Sequence, residues 1–285
     1  MKEKKIFINT VPHSGTHFLS SFLENIGYEH AIFKHTFYYG KPFYRRMQKA
    51  GINWRTAKLL KEKIKVFEKK NVPVSVSAPV KITKSTYASL FKSLSPGKFI
   101  IGHVPFSIEA QNVQKKYVDI SITIIRDPRD MIFSMLRHIK ERRQHHGFNY
   151  LFNVLTNDTD RFFAIAEGYE NSFGKMIGVE EMLISMLNWQ TNKSNICVRF
   201  EDIIGKKGGG ESSLQLKTMK NLLSFIGQNL SNENLEKLVE ETFGKSSTFR
   251  KGQIYGWKEV LNNENNERFE RRFHNLLART GYSSL

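Results

Sequence analysis

Short apolar runs alternate with longer amphipathic ones along much of the chain. KIFINTV (5–11), KFIIGHV (98–104), DISITII (119–125) and NICVRF (195–200) are brief and rich in β-branched or aromatic residues, as strands buried on both faces are. RTAKLLKEKIKVFEKK (55–70), PRDMIFSMLRHIKER (128–142) and VEEMLISMLNWQTN (179–192) instead repeat their apolar positions at helical spacing. The alternation predicts an α/β chain, a three-layer sandwich with a central, mainly parallel sheet flanked by helices. Residues 30–55 and 140–178 are aromatic and basic but weakly patterned, and read as excursions from that core. KKGGGESS (206–213) reads as a flexible loop, an inert insertion rather than a mobile lid. No internal repeat is present.

A length of 285 residues allows one large domain or two small ones, and one domain spanning 1–285 is expected. Hydrophobic residues at 40% and aromatics at 12% place the chain among folded globular proteins. No stretch approaches the roughly 18 apolar residues of a membrane span, and the apolar run in MKEKKIFINTV is too short for a signal peptide. Cys197 is the single cysteine, which excludes an intrachain disulfide and fits a cytoplasmic setting. Charge changes the picture most. Lys and Arg number 44 against 27 Asp and Glu, a net +17 that favours an anionic partner. It does not choose among nucleic acid, a membrane surface and a polyanionic small molecule, and surplus lysines also serve solubility alone.

Local chemistry narrows the choice. TVPHSGTHFL (10–19) joins a strand-like run to a helix-like one, where Ser14, Gly15 and Thr16 offer small side chains and backbone N–H groups suited to a phosphate. The paired glycines and lysine of GxxxxGK[ST] are missing, which argues against a nucleoside triphosphatase. An ordinary strand-to-helix turn would look the same. In IIRDPRDMIFSML, Arg126 ends a strand, Asp127 and Pro128 open a helix, and Ser134 follows on its early turns. A guanidinium fork and a hydroxyl there suit a second phosphate; the alternative is Arg126 paired with Asp127 or Asp130. GHVPFS places His103 at a strand end, either as a general base or as a satisfied core histidine. In TFRKGQIYGWK (248–258), Arg250, Lys251 and the Gly252 amide can close over a phosphate, or form a solvated basic loop.

In this order the segments resemble the cytosolic-type sulfotransferase family, which uses 3′-phosphoadenosine 5′-phosphosulfate (PAPS). The resemblance runs from about residue 5 to Gly281 and Tyr282. VPHSGTHF is similar to the family's 5′-phosphosulfate loop YPKSGTTW, RDPRDMIFS to its 3′-phosphate motif, GHVP to THLP, VRFEDI (198–203) to FYEDM, and FRKGQIYGWK to RKGxxGDWK. The resemblance implies a P-loop-like fold and transfer of sulfuryl from PAPS to an acceptor hydroxyl or amine. Adenosine 3′,5′-bisphosphate (PAP) is then the product, and no metal is needed. It places Ser14, Gly15, Thr16 and His17 on the 5′-phosphosulfate, and Arg126, Ser134, Arg250, Lys251 and Gly252 on the 3′-phosphate. Phe18, Phe200 and Phe249 fall at or beside positions lining adenine. Trp257 and Lys258 match structural positions. His103 takes the catalytic position, removing the acceptor's proton while cationic and N–H donors stabilise charge on the leaving phosphate.

The departures are informative. His13 stands where the family carries a lysine beside the bridging oxygen, so it is assigned both to donor binding and to catalysis as a proton donor whose effectiveness depends on pH. A metal site on His13 and His17 is not expected, because no acidic or cysteine ligand is evident nearby. Ile101 replaces the family's lysine two residues before the catalytic histidine, YGW displaces the glycine of GDW, and the dimerisation motif is unrecognisable, which leaves oligomeric state open. HAIFKHTFYYGKPFYRRM and RHIKERRQHHGFNYLF are expected to form the acceptor pocket or lid. A small hydroxylated or amine metabolite is the favoured acceptor and an anionic glycan the alternative. Two further readings compete: a basic nucleic-acid-binding module with structural loops, and an inactive relative that keeps only the donor site.

Overall fold

The computed structural model describes residues 3–31, 70–77, 79–92, 94–244 and 252–282. The chain runs β1 (Ile6–Asn9), α1 (Thr16–Asn25), β2 (Glu29–His30), β3 (Lys70–Val74), β4 (Val80–Thr83), α2 (Lys84–Phe91) and β5 (Lys98–Gly102). It continues through α3 (Ile108–Tyr117), β6 (Ile120–Ile125), α4 (Pro128–Lys140), α5 (Asp158–Glu167), β7 (Gly168–Asn171), β8 (Gly174–Ile177) and α6 (Val179–Leu187). Last come β9 (Asn195–Arg199), α7 (Phe200–Ile204), α8 (Ser212–Ile226), α9 (Asn232–Thr242), α10 (Asn263–Arg272) and α11 (His274–Thr280).

The main sheet has the order β2-β5-β1-β6-β9 with every neighbouring pair parallel. Its central strand β1 is buried along its length, in register with β5 through Ile8 and Ile101 and with β6 through Ile8 and Ile122. Because strand side chains alternate between faces, Phe7 enters one hydrophobic core with Tyr87, Phe91 and Met131, while Ile6 and Ile8 enter the other with Phe22, Ile122 and Leu222. The result is the expected helix–sheet–helix sandwich. The antiparallel pairs β3–β4 and β7–β8 stand outside the main sheet.

The predicted strands form as β1, β5, β6 and β9, each shorter than its apolar run. The helix at 128–142 forms as α4, with Pro128 in its first turn and Asp127 accepting from the Arg129 amide as its cap. Its Met131, Ile132, Met135, Leu136 and Ile139 are buried on one face. Over 179–192 the α-helix stops at Leu187 and tightens into a 3₁₀ turn, Asn188–Thr191, that turns Trp189 inward. Of the helix predicted at 55–70, all but Lys70 lies outside the described residues, and Lys70 opens β3. Residues 32–55 lie outside them too. Over 140–178, a π-turn at Asn149–Val154, α5 and the β7–β8 hairpin bring Leu151, Phe162, Ile165 and Met176 into the core.

A parallel sheet aligns the carboxyl ends of its strands along one edge. Here that edge carries Thr10 after β1, His103 after β5, Arg126 after β6 and Phe200 after β9. Among the described residues, no helix is long and apolar enough to cross a membrane.

Candidate active site

The loop after β1 is held by its own backbone. Ser14, fully buried, donates its hydroxyl to the Val11 carbonyl at 2.7 Å. His13 at φ 71° and Gly15 at φ 103° occupy the left-handed region, where glycine alone is unstrained. A β-carbon on Gly15 would collide with the Phe200 ring. Helix α1 then starts at Thr16 with no side-chain cap and no acidic residue in its first turn, so its N-terminal field stays positive. Thr16 Oγ1 lies 2.6 Å from Thr10 Oγ1, which ties the helix start to the strand end.

His103 is half-buried beside that loop. Its Nδ1 lies 2.6 Å from the Thr10 carbonyl oxygen. A carbonyl only accepts, so Nδ1 carries the proton and Nε2 of the neutral ring keeps its lone pair. Burial, aided by the nearby His17, pushes the His103 pKa below the usual histidine value despite the opposing Thr10 bond. Asn9 fixes the same loop by accepting from the Val104 amide at 2.8 Å and donating to the Val104 carbonyl at 3.1 Å. That carbonyl also receives the Trp189 indole N–H at 3.0 Å.

The RDPRD stretch joins distant segments through its charged side chains. Arg126 donates from Nη1 to the His13 carbonyl at 3.0 Å and from Nη2 to the Gln253 carbonyl at 2.8 Å. Its guanidinium stacks on Phe200 with its centre 4.4 Å from the ring centroid. Its buried Nε has no partner among the described residues. Burial lowers its pKa while Asp130, Glu201 and Asp127 oppose the shift. Arg126 is thus not ion-paired with Asp127. Arg129 takes that carboxylate at 2.8 Å and reaches Glu270 on α10 at 2.9 Å. Asp130 accepts from the amides of Tyr255 and Trp257 at 2.8 and 3.1 Å. Glu201 receives the Asp127 amide and the Tyr282 hydroxyl.

Several predicted residues therefore meet at one edge: His13, Ser14, Gly15, Thr16, Arg126, Ser134 and Phe200, with Gly252 on the segment Arg126 grips. Ser134 Oγ is 3.3 Å from His13 Nδ1, and the His13 ring also meets that of His138 at 4.9 Å. His17 is exposed to solvent on α1, and the partial desolvation of its ring by the surrounding protein lowers its pKa. Phe18 is buried with Phe200 in the core beneath the loop. Phe249, Arg250 and Lys251 lie outside the described residues. Among the described residues no histidine, cysteine or carboxylate cluster has the form of a metal site.

Sequence reasoning missed Asn9, Thr10, Trp189 and the bridging roles of Arg129 and Asp130. An asparagine closing an apolar strand was the available signal for the first. The reading of 206–213 as a flexible loop is also corrected. Lys206–Gly208 form a 3₁₀ turn and Ser212 opens α8; Gly208 is buried, and its carbonyl receives the Ile254 amide at 3.0 Å.

Residues 3–281 match the sulfotransferase domain family, and the chain belongs to it. Solved structures with the same fold include mouse sulfotransferase SULT7A1 complexed with PAP, at 15% identity and TM-score 0.57, covering 97% of this chain and 84% of that one. Retinol dehydratase in complex with androsterone and inactive cofactor PAP matches at 15% identity and TM-score 0.58, covering 96% of this chain and 80% of that one. The same enzyme with retinol and PAP matches at 15% and 0.57, covering 97% and 82%. No curated protein matches the chain.

Proposed function

We propose that this sulfotransferase uses PAPS as donor and a small molecule bearing a hydroxyl or amine as acceptor, with His103 as general base. The observation that carries the reading is the His103–Thr10 contact, which leaves Nε2 as the ring's proton acceptor at the strand edge where the phosphate-type loop begins.

The residues fit the donor. Arg126 keeps a buried Nε, without a partner among the described residues, next to Phe200, and Gly15 lets the loop backbone turn where a side chain would collide. Ser14, Gly15, Thr16 and His17 are assigned to its 5′ end. Arg126, Ser134, Arg250, Lys251 and Gly252 are assigned to its 3′-phosphate, and Phe18, Phe200 and Phe249 to its base. When bound, the donor supplies an activated sulfuryl group. His103 Nε2 takes the acceptor's proton, and His13 donates one toward the leaving phosphate from the side where Ser134 holds its Nδ1.

Two aromatic groups, Phe148 with Phe152 and Tyr150 with Tyr169 and Phe173, support an apolar small acceptor bound within 140–178, as does the use of such ligands in the retinol dehydratase structures. One sulfotransferase domain acting in the cytoplasm is the setting proposed. The test is PAPS turnover across phenols, sterols, amines and an anionic glycan. Transfer to a small molecule, reduced at least about 100-fold in His103→Asn, is expected. Glycan-only transfer would move the acceptor to that class, and transfer indifferent to His103 would remove the base.

A further inference from the structure

Residues 205–210 carry four glycines, and two of them pack against backbone carbonyls of neighbouring segments. Gly205 at φ 65° and Gly209 at φ 90° take left-handed conformations that fold the turn back on itself, closed by the Gly210 amide on the Gly205 carbonyl at 2.9 Å. A β-carbon on Gly210 would lie 2.8 Å from the Glu201 carbonyl oxygen, and one on Gly208 would meet Ile204 Cγ1 as well as the Gly252 carbonyl oxygen at 2.5 Å. The two carbonyls are backbone and Ile204 is buried, so none of the three is a flexible chain end that could swing away. The absence of side chains is what lets the loop approach.

The loop grips the segment 252–254. Besides the Ile254 amide on the Gly208 carbonyl, Gln253 Nε2 donates to the Lys207 carbonyl at 2.8 Å. On its other side the same segment presents the Gln253 carbonyl to Arg126, whose second hydrogen bond holds the His13 carbonyl. A continuous line of contacts thus runs from the glycine loop through 252–254 and Arg126 to the loop after β1. Gly252 and Arg126, both on this line, are assigned above to the 3′-phosphate together with Ser134.

We propose that the 205–210 loop is a positioning element for recognition of the donor's 3′-phosphate, acting through the backbone of 252–254. The inference rests on the donor reading above. It predicts a selective effect: weakening this support should reduce affinity for a nucleotide with a 3′-phosphate and spare one without it.

The test is calorimetric affinity for PAP and for adenosine 5′-monophosphate, which differ by that phosphate. The chains compared are wild type, Gly208→Ala, Gln253→Ala and Gly227→Ala. Gly227 caps α8 at φ 79° with open space around it, so its substitution strains the fold without reaching the loop. Gly208→Ala should weaken PAP about tenfold or more, as forced close contacts do, while the monophosphate changes less than about twofold. Gln253→Ala, which removes the bond to Lys207, should shift the PAP to monophosphate ratio in the same direction by about threefold, and Gly227→Ala should leave it unchanged. A folded Gly208→Ala with an unaltered ratio overturns the inference. If that variant does not fold, an unaltered ratio in Gln253→Ala overturns it. PAP binding by wild type alongside either result leaves the donor reading standing, whereas a wild type that binds neither nucleotide removes both.

Discussion

Nδ1 of His103 lies 2.6 Å from the main-chain oxygen of Thr10, so the carbonyl that follows β1 sets the tautomer of the ring that follows β5. The burial that fixes this contact also lowers the ring's proton affinity, with the His17 charge adding to the effect. As a base, His103 works when neutral. The acidic limb of kcat/KM should therefore fall below the ordinary histidine value of about 6.5. His17→Gln removes a positive neighbour and should move that limb upward. A limb that stays in place in a pH–rate series on this variant would contradict the coupling.

Stability should depend on the same ring. The pKa values of His17, His30 and His103 are all lowered by burial, so the folded state holds these protons less tightly than the unfolded chain. Stability from this source is full above the unfolded value of about 6.5 and is lost as pH falls from there toward the depressed folded values. Asp130 and Glu201, raised by burial, act with the opposite sign in the carboxylate range. The comparison of variants isolates the histidine. The drop in Tm between about pH 7.5 and about pH 5.5 should be smaller in His103→Asn than in wild type. An equal or larger drop would count against a depressed His103.

Asn9 is expected to separate catalysis from donor binding. Its side chain makes both of the hydrogen bonds it offers to Val104, and Asn9→Ala leaves the buried amide unpaired, at about 1–3 kcal/mol. Denaturant unfolding should show that loss. Kinetics should show kcat reduced with affinity for PAP nearly unchanged, and a parallel loss of affinity would indicate that Asn9 supports the whole site.

The layers of the fold were legible because β1 and β6 are buried along their length and β5 and β9 share with them short runs rich in β-branched and aromatic residues. Their ends were not, since the run KFIIGHV does not record that Asn9 captures Val104 and stops the ladder at Gly102. Short strands such as those of the β7–β8 hairpin bury few residues and leave little periodic signal. In the site, Arg126 and His103 stood out by residue type and place. The exchange of partners between Arg126 and Arg129 could not be read, because both arginines lie within reach of Asp127 in sequence. The glycine loop misled for a related reason: glycines that permit close packing look the same in sequence as glycines that permit motion.

His13 should give the protein an alkaline limit. A proton donor to the leaving phosphate fails once deprotonated, and a lysine at the same place keeps its charge to about pH 10. His13→Lys should thus hold kcat at about pH 9, where wild type declines. Superimposable profiles would assign the alkaline limb elsewhere.

The donor site is the claim on which the rest depends, and calorimetric titration with PAP tests it most directly. One-to-one binding by wild type is expected, weakened at least about tenfold by Arg126→Ala and measurably by Ser134→Ala, which leaves the bridges from Arg126 to His13 and Gln253 in place. A folded wild-type chain that does not bind PAP, or binding that neither substitution weakens, would contradict it.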